Sequence, residues 1–178
     1  MFELIRSIAI DVAAARATGT AAIPADHPAL ADHFPGRPIA PGTWLVELAA
    51  QIAGPLAEEV DRARAGAERW AVLAMIRHAK LLGPVDLPAE IELAAELLDA
   101  GPPDELAARR ADPGGRRKAA ATNLAPLSPS LVTARVIVRR DGAAILRGEL
   151  VLALIEAPPG SERAIAERHA RLARWKGA

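Results

Sequence analysis

The stretch His33-Phe34-Pro35-Gly36-Arg37-Pro38-Ile39-Ala40-Pro41-Gly42, continued without a break by Thr43-Trp44-Leu45-Val46-Glu47-Leu48-Ala49-Ala50-Gln51, decides how the chain is read. Three prolines and two glycines fall within its first ten residues. Proline fixes φ and lacks an N–H, and glycine admits backbone shapes closed to other residues, so this is a loop of defined shape. After Gly42 the composition turns to helix formers. Leu45, Leu48, Ile52 and Leu56 lie on one side of a 3.6-residue period, which predicts a buried helix from residue 43 to about 60. Pro55 falls in its second half and, having no N–H for the Gln51 carbonyl, should kink or end it. The stretch therefore sets one imidazole, His33, and one carboxylate, Glu47, on either side of a proline-framed loop.

Outward from the loop, the flanking segments alternate in character. Residues 3 to 12 read as a strand, with a short helix as the alternative, and residues 18 to 23 as a second strand ending at Pro24. Beyond the helix, the charged run Glu58 to Arg69 is expected to be solvated. The apolar runs Trp70 to Leu82 and Ile91 to Leu98 are two strands around Gly83-Pro84-Val85-Asp86-Leu87-Pro88. Residues 100 to 130 hold Gly101-Pro102-Pro103, Asp112-Pro113-Gly114-Gly115 and few large apolar side chains. That composition cannot offset the entropy of ordering and reads as an insertion. From Leu131 the alternation of Val132, Ala134, Val136 and Val138 with polar neighbours makes a strand. Asp141-Gly142 is a two-residue hairpin signal leading to a strand over 144 to 155. Ser161, a plausible N-cap, opens a charged terminal helix over about 161 to 176, whose Ile165, His169 and Leu172 share a face near Trp175. One apolar helix among antiparallel strands predicts an α+β architecture with a sheet wrapped around a helix, in one domain over residues 1 to 178.

Composition removes several function classes. With 22 basic and 22 acidic residues the formal net charge is zero, and only 3% of residues are aromatic, so nucleic-acid binding is disfavoured. No uncharged apolar run approaches the roughly 18 residues of a membrane span. The N-terminal segment carries Glu3, Arg6 and Asp11 where a secretory signal would be basic and then apolar, so export is not expected. Zero cysteines exclude disulfides, thiolate chemistry and cysteine-ligated zinc, and they suit a reducing cytoplasm. No metal site is expected.

The run His33-Phe-Pro-Gly-Arg-Pro-Ile-Ala-Pro-Gly42, followed by Glu47 and Ala50-Gln51, resembles the signature of the β-hydroxyacyl-acyl-carrier-protein dehydratases of the FabZ and FabA type. A looser match covers Met75-Ile76-Arg77-His78-Ala79-Lys80 with Pro84-Val85, and the Asp141-Gly142 hairpin falls where that family has its last two strands. The resemblance implies a hotdog fold and dehydration of 3-hydroxyacyl thioesters carried on a carrier protein or CoA, with no cofactor beyond that phosphopantetheine carrier. It implies catalysis by His33 and Glu47, contributed by different subunits of a dimer, with Gly42 offering its N–H to the thioester carbonyl and Pro41 beside it. The dimer would be a homodimer or a pair of different hotdog chains, or part of a higher oligomer. Asp32 stands where the family has glycine and could tune His33. A Pro-His-Arg type opening motif is lacking, and Lys80-Leu81-Leu82-Gly83 departs from the basic segment of housekeeping members. With the insertion and the terminal helix, these departures suggest a specialised lipid or polyene pathway.

The residue chemistry agrees with what the resemblance implies. Dehydration removes a proton next to a carbonyl and protonates a departing hydroxyl, which calls for a base, an acid and a donor to the carbonyl oxygen. An imidazole titrates near neutrality and suits the first task. Glu47 would need an apolar setting to act as an acid, and Trp44, Leu48 and Ile52 are candidates to supply it. Gly42 lies at a helix N-terminus, where free N–H groups favour negative charge. Gln51, one turn after Glu47, could hold its rotamer. His27, His78 and His169 read as structural, and Arg37 either faces solvent or meets a phosphopantetheine phosphate. A hotdog thioesterase and a non-catalytic acyl-binding or dimerisation subunit are the competing readings.

Overall fold

The computed structural model describes residues 4–30, 33, 36–66, 68–98 and 130–177. Strands β1 (Ile5–Asp11) and β2 (Arg16–Ile23) form the first hairpin. The loop and helix α1 (Gly42–Ala65) follow, then β3 (Arg69–Leu81), β4 (Ala89–Leu97), β5 (Ser130–Arg140), β6 (Ala143–Glu156) and a terminal helix α2 (Glu162–Lys176). The six strands make one curved sheet in the order β1-β2-β4-β5-β6-β3, every neighbouring pair antiparallel. Helix α1 lies in the concavity of that sheet, which is the hotdog arrangement. The expected insertion around 100–130 falls outside the described residues except for Ser130, where β5 begins.

The core forms where α1 meets the sheet. Leu45, Leu48, Ile52 and Leu56 recur on one side of α1 and are wholly buried, as are Ile91 of β4, Val136 and Val138 of β5, and Leu146, Leu150 and Leu152 of β6. β4 shows why the sheet closes over the helix. Ala89, Ile91, Leu93, Ala95 and Leu97 are buried while Glu90, Glu92 and Glu96 alternate with them on the other face. The Asp141-Gly142 turn is the hairpin expected, with both residues at positive φ, 50° and 76°, which matches the twist of β5 and β6.

Pro55 neither ends α1 nor marks its second half as solvated: the helix runs ten residues further, to Ala65, and Gly66 caps it at φ 64° with its N–H on the Arg62 carbonyl at 2.9 Å. The reason is energetic. A proline inside a helix costs about 3 kcal/mol. Burying Leu56 and Val60 beyond it returns about 1.5–3 kcal/mol each, enough to offset that cost. The charged residues of this last stretch are also engaged rather than simply solvated. Arg69 pairs with Asp61, and Arg62 reaches Glu59 at 2.5 Å and Glu68 at 2.6 Å.

Helix α2 packs against β1 and buries Trp175, with Leu172 against the core. Ser161 occupies the N-cap position without a side-chain capping bond, its carbonyl instead accepting the Ile165 N–H at 2.9 Å. His169, expected on the packed face, is exposed and bonds Arg62 and Glu68. No helix among the described residues is long and apolar enough to cross a membrane.

β3 is unlike the other strands. Among the described strands it pairs with β6 alone, stands at the edge of the sheet, and leaves Val72, Leu73, Met75, Ile76 and Leu81 exposed.

Candidate active site

The loop before α1 is stitched down from its second half. Ile39 bridges Asp86, the Ala40 N–H meets the Val85 carbonyl at 2.8 Å, and the Leu87 N–H meets the Pro38 carbonyl at 3.0 Å. Arg37 adds an ion pair to Asp86 at 2.8 Å, so its charge is matched within the chain. That hydrogen-bonded partner raises the Arg37 pKa and lowers that of Asp86. In the first half, a short 3-10 turn over Pro28–Leu30 leads to His33, whose N–H donates to the Leu30 carbonyl at 2.9 Å. His27 has a structural role. Its Nδ1 accepts the Ala29 N–H at 3.2 Å and its ring meets Trp44 edge-on, centroids 4.9 Å apart. His33 is thus held between two anchored segments and is half-buried. Asp32, Phe34 and Pro35 lie outside the described residues, and with them the expectation that Asp32 tunes His33.

Gly42 is the first residue of α1, and the Trp44 N–H turns back to the Pro41 carbonyl at 2.9 Å. The side chain of Leu81, at the end of β3, lies over Gly42 so closely that a β-carbon there would collide with Leu81 Cδ1.

Glu47 sits one turn further on, exposed, and Gln51 Nε2 donates to its Oε1 at 2.9 Å. The expected wrapping of Glu47 by Leu48 and Ile52 is not found. Those two side chains are wholly buried in the sheet-facing core, about 100° and 140° around the helix from Glu47, and Trp44 is turned to His27. What shares Glu47's side is a pocket of about 470 Å³ lined by Gln51, Gly54, Ala71, Val72 and Leu73, with Leu152 and residues of α2. Gln51 Oε1 is buried and has no hydrogen-bond partner among the described residues. His33, Pro41 and Gly42 do not line this pocket. The single chain therefore brings Glu47 and Gln51 together and leaves the other three elsewhere.

A group around Glu58 went unnoticed in the sequence. Glu58 lies on the stripe of α1 that carries Glu47 and Gln51, accepts the Ala71 N–H at 2.9 Å and pairs with Arg168, whose guanidinium lies over the Trp70 ring. Burial pushes the Glu58 carboxyl up, against the bonds from Ala71 and Arg168. The signal was present as the spacing Glu47, Gln51, Glu58, which returns to nearly one side of a helix.

A family model described as ApeI dehydratase, ApeI-like, matches residues 9–97, half of the chain, from the first strand through the loop and α1 to the end of β4. The chain belongs to the ApeI-like dehydratase family. Among solved structures, it is similar to the dehydratase heterocomplex ApeI:P of Xenorhabdus doucetiae, with a TM-score of 0.55 and 12% identity over 93% of this chain and 89% of the other. It is also similar to an acetyl-CoA-bound protein of Streptococcus mutans, with a TM-score of 0.52 and 11% identity over 88% of this chain and 92% of that one. A conserved protein of Pseudomonas aeruginosa aligns with a TM-score of 0.50 and 14% identity over 85% and 88%. At such identities these likenesses establish the fold.

Proposed function

We propose that this ApeI-like chain dehydrates 3-hydroxyacyl thioesters, carried on a carrier protein or CoA, to trans-2-enoyl thioesters. The observation that carries the reading is the Glu47–Gln51 pair on the wall of a pocket that His33 does not line. Such a division of labour suits a site built from two chains, one giving His33 and Gly42 and the other Glu47. The exposed apolar edge of β3, which runs along the same pocket through Val72 and Leu73, is the surface on which a second hotdog chain would pair. That the Xenorhabdus structure is a dehydratase heterocomplex and the Streptococcus structure holds acetyl CoA supports pairing with a like or different hotdog chain and a thioester substrate. A chain without cysteine suits the cytoplasm, and the departures from housekeeping dehydratases favour a specialised lipid or polyene pathway.

In this mechanism His33 removes the proton from C2 of the acyl chain. Negative charge develops on the thioester oxygen, and the N–H at Gly42, aided by the helix dipole, takes it up. Glu47, covered by the second chain that would pair along β3 and so kept protonated, delivers a proton to the 3-hydroxyl, the C3–O bond breaks, and water leaves as the C2–C3 double bond forms. Gln51 fixes the carboxyl rotamer through its Nε2.

The test is incubation with a 3-hydroxyacyl pantetheine thioester, following enoyl product and free thiol separately. Enoyl product lost in His33→Ala is the expected result. Thiol release would instead make the chain a thioesterase, and no product from the wild type, with thioester binding unchanged in His33→Ala, would make it an acyl-binding subunit.

A further inference from the structure

Helix α2 closes the pocket at the end away from Glu47. Arg168, Arg171 and Trp175 line it there, and the ion pair of Arg168 with Glu58 places α2 one turn of α1 beyond Pro55, which also lines the pocket. Trp175 is 8% exposed and belongs to the hydrophobic core. The cations at this end are already engaged. Arg168 is paired with Glu58 and lies 5.4 Å from the centroid of Trp70, and the Arg171 guanidinium lies 5.4 Å from the centroid of Trp175. This is a fixed plug rather than a mouth awaiting an anion. Midway, Gly54 keeps the pocket wide, for a β-carbon there would stand 3.8 Å from that of Ala71.

We propose that α2 is the floor of an acyl-chain pocket and that Trp175 and Gly54 set the chain length this protein accepts. The inference rests on the dehydratase reading for the nature of its ligand. Glu47 and Gly54 are seven residues apart on α1, a rise of about 10.5 Å. An extended chain advances about 1.2 Å per bond, a third of what a three-bond backbone residue covers. Gly54 therefore stands about nine bonds past the hydroxyl-bearing carbon and the floor lies beyond it, so the pocket takes chains of at least that length and stops them at α2.

The experiment measures calorimetric affinity for saturated acyl-pantetheine thioesters of increasing length, with wild type, Trp175→Leu and Gly54→Ala, each checked for retained fold by circular dichroism. Affinity should rise about fourfold per added methylene while the chain is being buried, then stop rising past the ninth bond, where the chain meets α2. The break should move to longer chains in Trp175→Leu and to shorter ones in Gly54→Ala, a substitution that favours the helix and fits the space. A break at one length in all three proteins, or no measurable affinity, overturns the proposal. Turnover of the matching 3-hydroxyacyl series is followed in parallel. If the break moves as expected and no enoyl product forms at any length, the floor stands and the dehydratase reading falls.

Discussion

Replacing Gln51 by leucine should make the protein more stable and less active in one step. The Gln51 Nε2 bond to Glu47 spans one turn of helix to an exposed acceptor, and such pairs contribute about 0.2–0.5 kcal/mol. Against this, Gln51 Oε1 is buried without a donor, a loss of about 1–3 kcal/mol relative to a satisfied oxygen. Flipping the amide gives no relief, because it would set an oxygen against the carboxylate of Glu47. Leucine has similar bulk and nothing to satisfy, so the net gain is about 0.5–2.8 kcal/mol, a rise of about 1–11 °C in melting temperature for a chain of this size. Activity should fall about 10–100-fold, since a carboxyl free to change rotamer is out of position for much of the time. Differential scanning calorimetry and enoyl formation on the same preparation check both halves. A melting temperature below wild type would mean that Oε1 is satisfied in solution, and the reasoning would fail.

Three further outcomes follow. Met75→Glu puts a charge on the exposed edge of β3, where it should leave the chain's own stability within about 0.5 kcal/mol yet yield a lone-chain species in sedimentation with no enoyl formation. Gly42→Ala forces Leu81 aside; being half-exposed, that side chain can yield, so melting should change little while thioester turnover drops at least tenfold, read from kcat. In acid, α2 should loosen before the sheet unfolds, seen as faster amide hydrogen exchange over 162–176. Burial pushes the Glu59 carboxyl up, but bonds from Lys176 and Arg62 outweigh it and hold it below the ordinary value of 4.5, and the hydrogen bond from Arg62 does the same for Glu68. A lowered folded-state pKa gives stability that is present above the unfolded value and drains as pH falls through the folded one. Glu58 has the opposite sign, burial having raised it, so its protonation relieves strain and does not drive the loosening.

The hotdog architecture was legible because its signals are local. The Asp141-Gly142 turn, the period-two pattern of β5 and the apolar period of α1 each need only a short window of sequence. The extent of α1 was not legible, because the burial that carries it past Pro55 comes from strands far away in the chain. The same distance hid the site's surroundings. Leu48 and Ile52 neighbour Glu47 in sequence but face the sheet, whereas Val72, Leu73 and Trp175, remote in sequence, line its pocket. Arg37 needed Asp86, 49 positions later, before its role as a loop anchor could be seen.

The bare edge of β3 also bears on how cells must handle this polypeptide. Among the described residues β3 presents an edge without a second strand, carrying the exposed Met75 and Ile76, the kind of template on which misassembly and fibre growth begin. If a second hotdog chain covers this edge, production in excess of it should feed inclusion bodies and proteases rather than a soluble pool, and supply of that chain becomes a control on abundance.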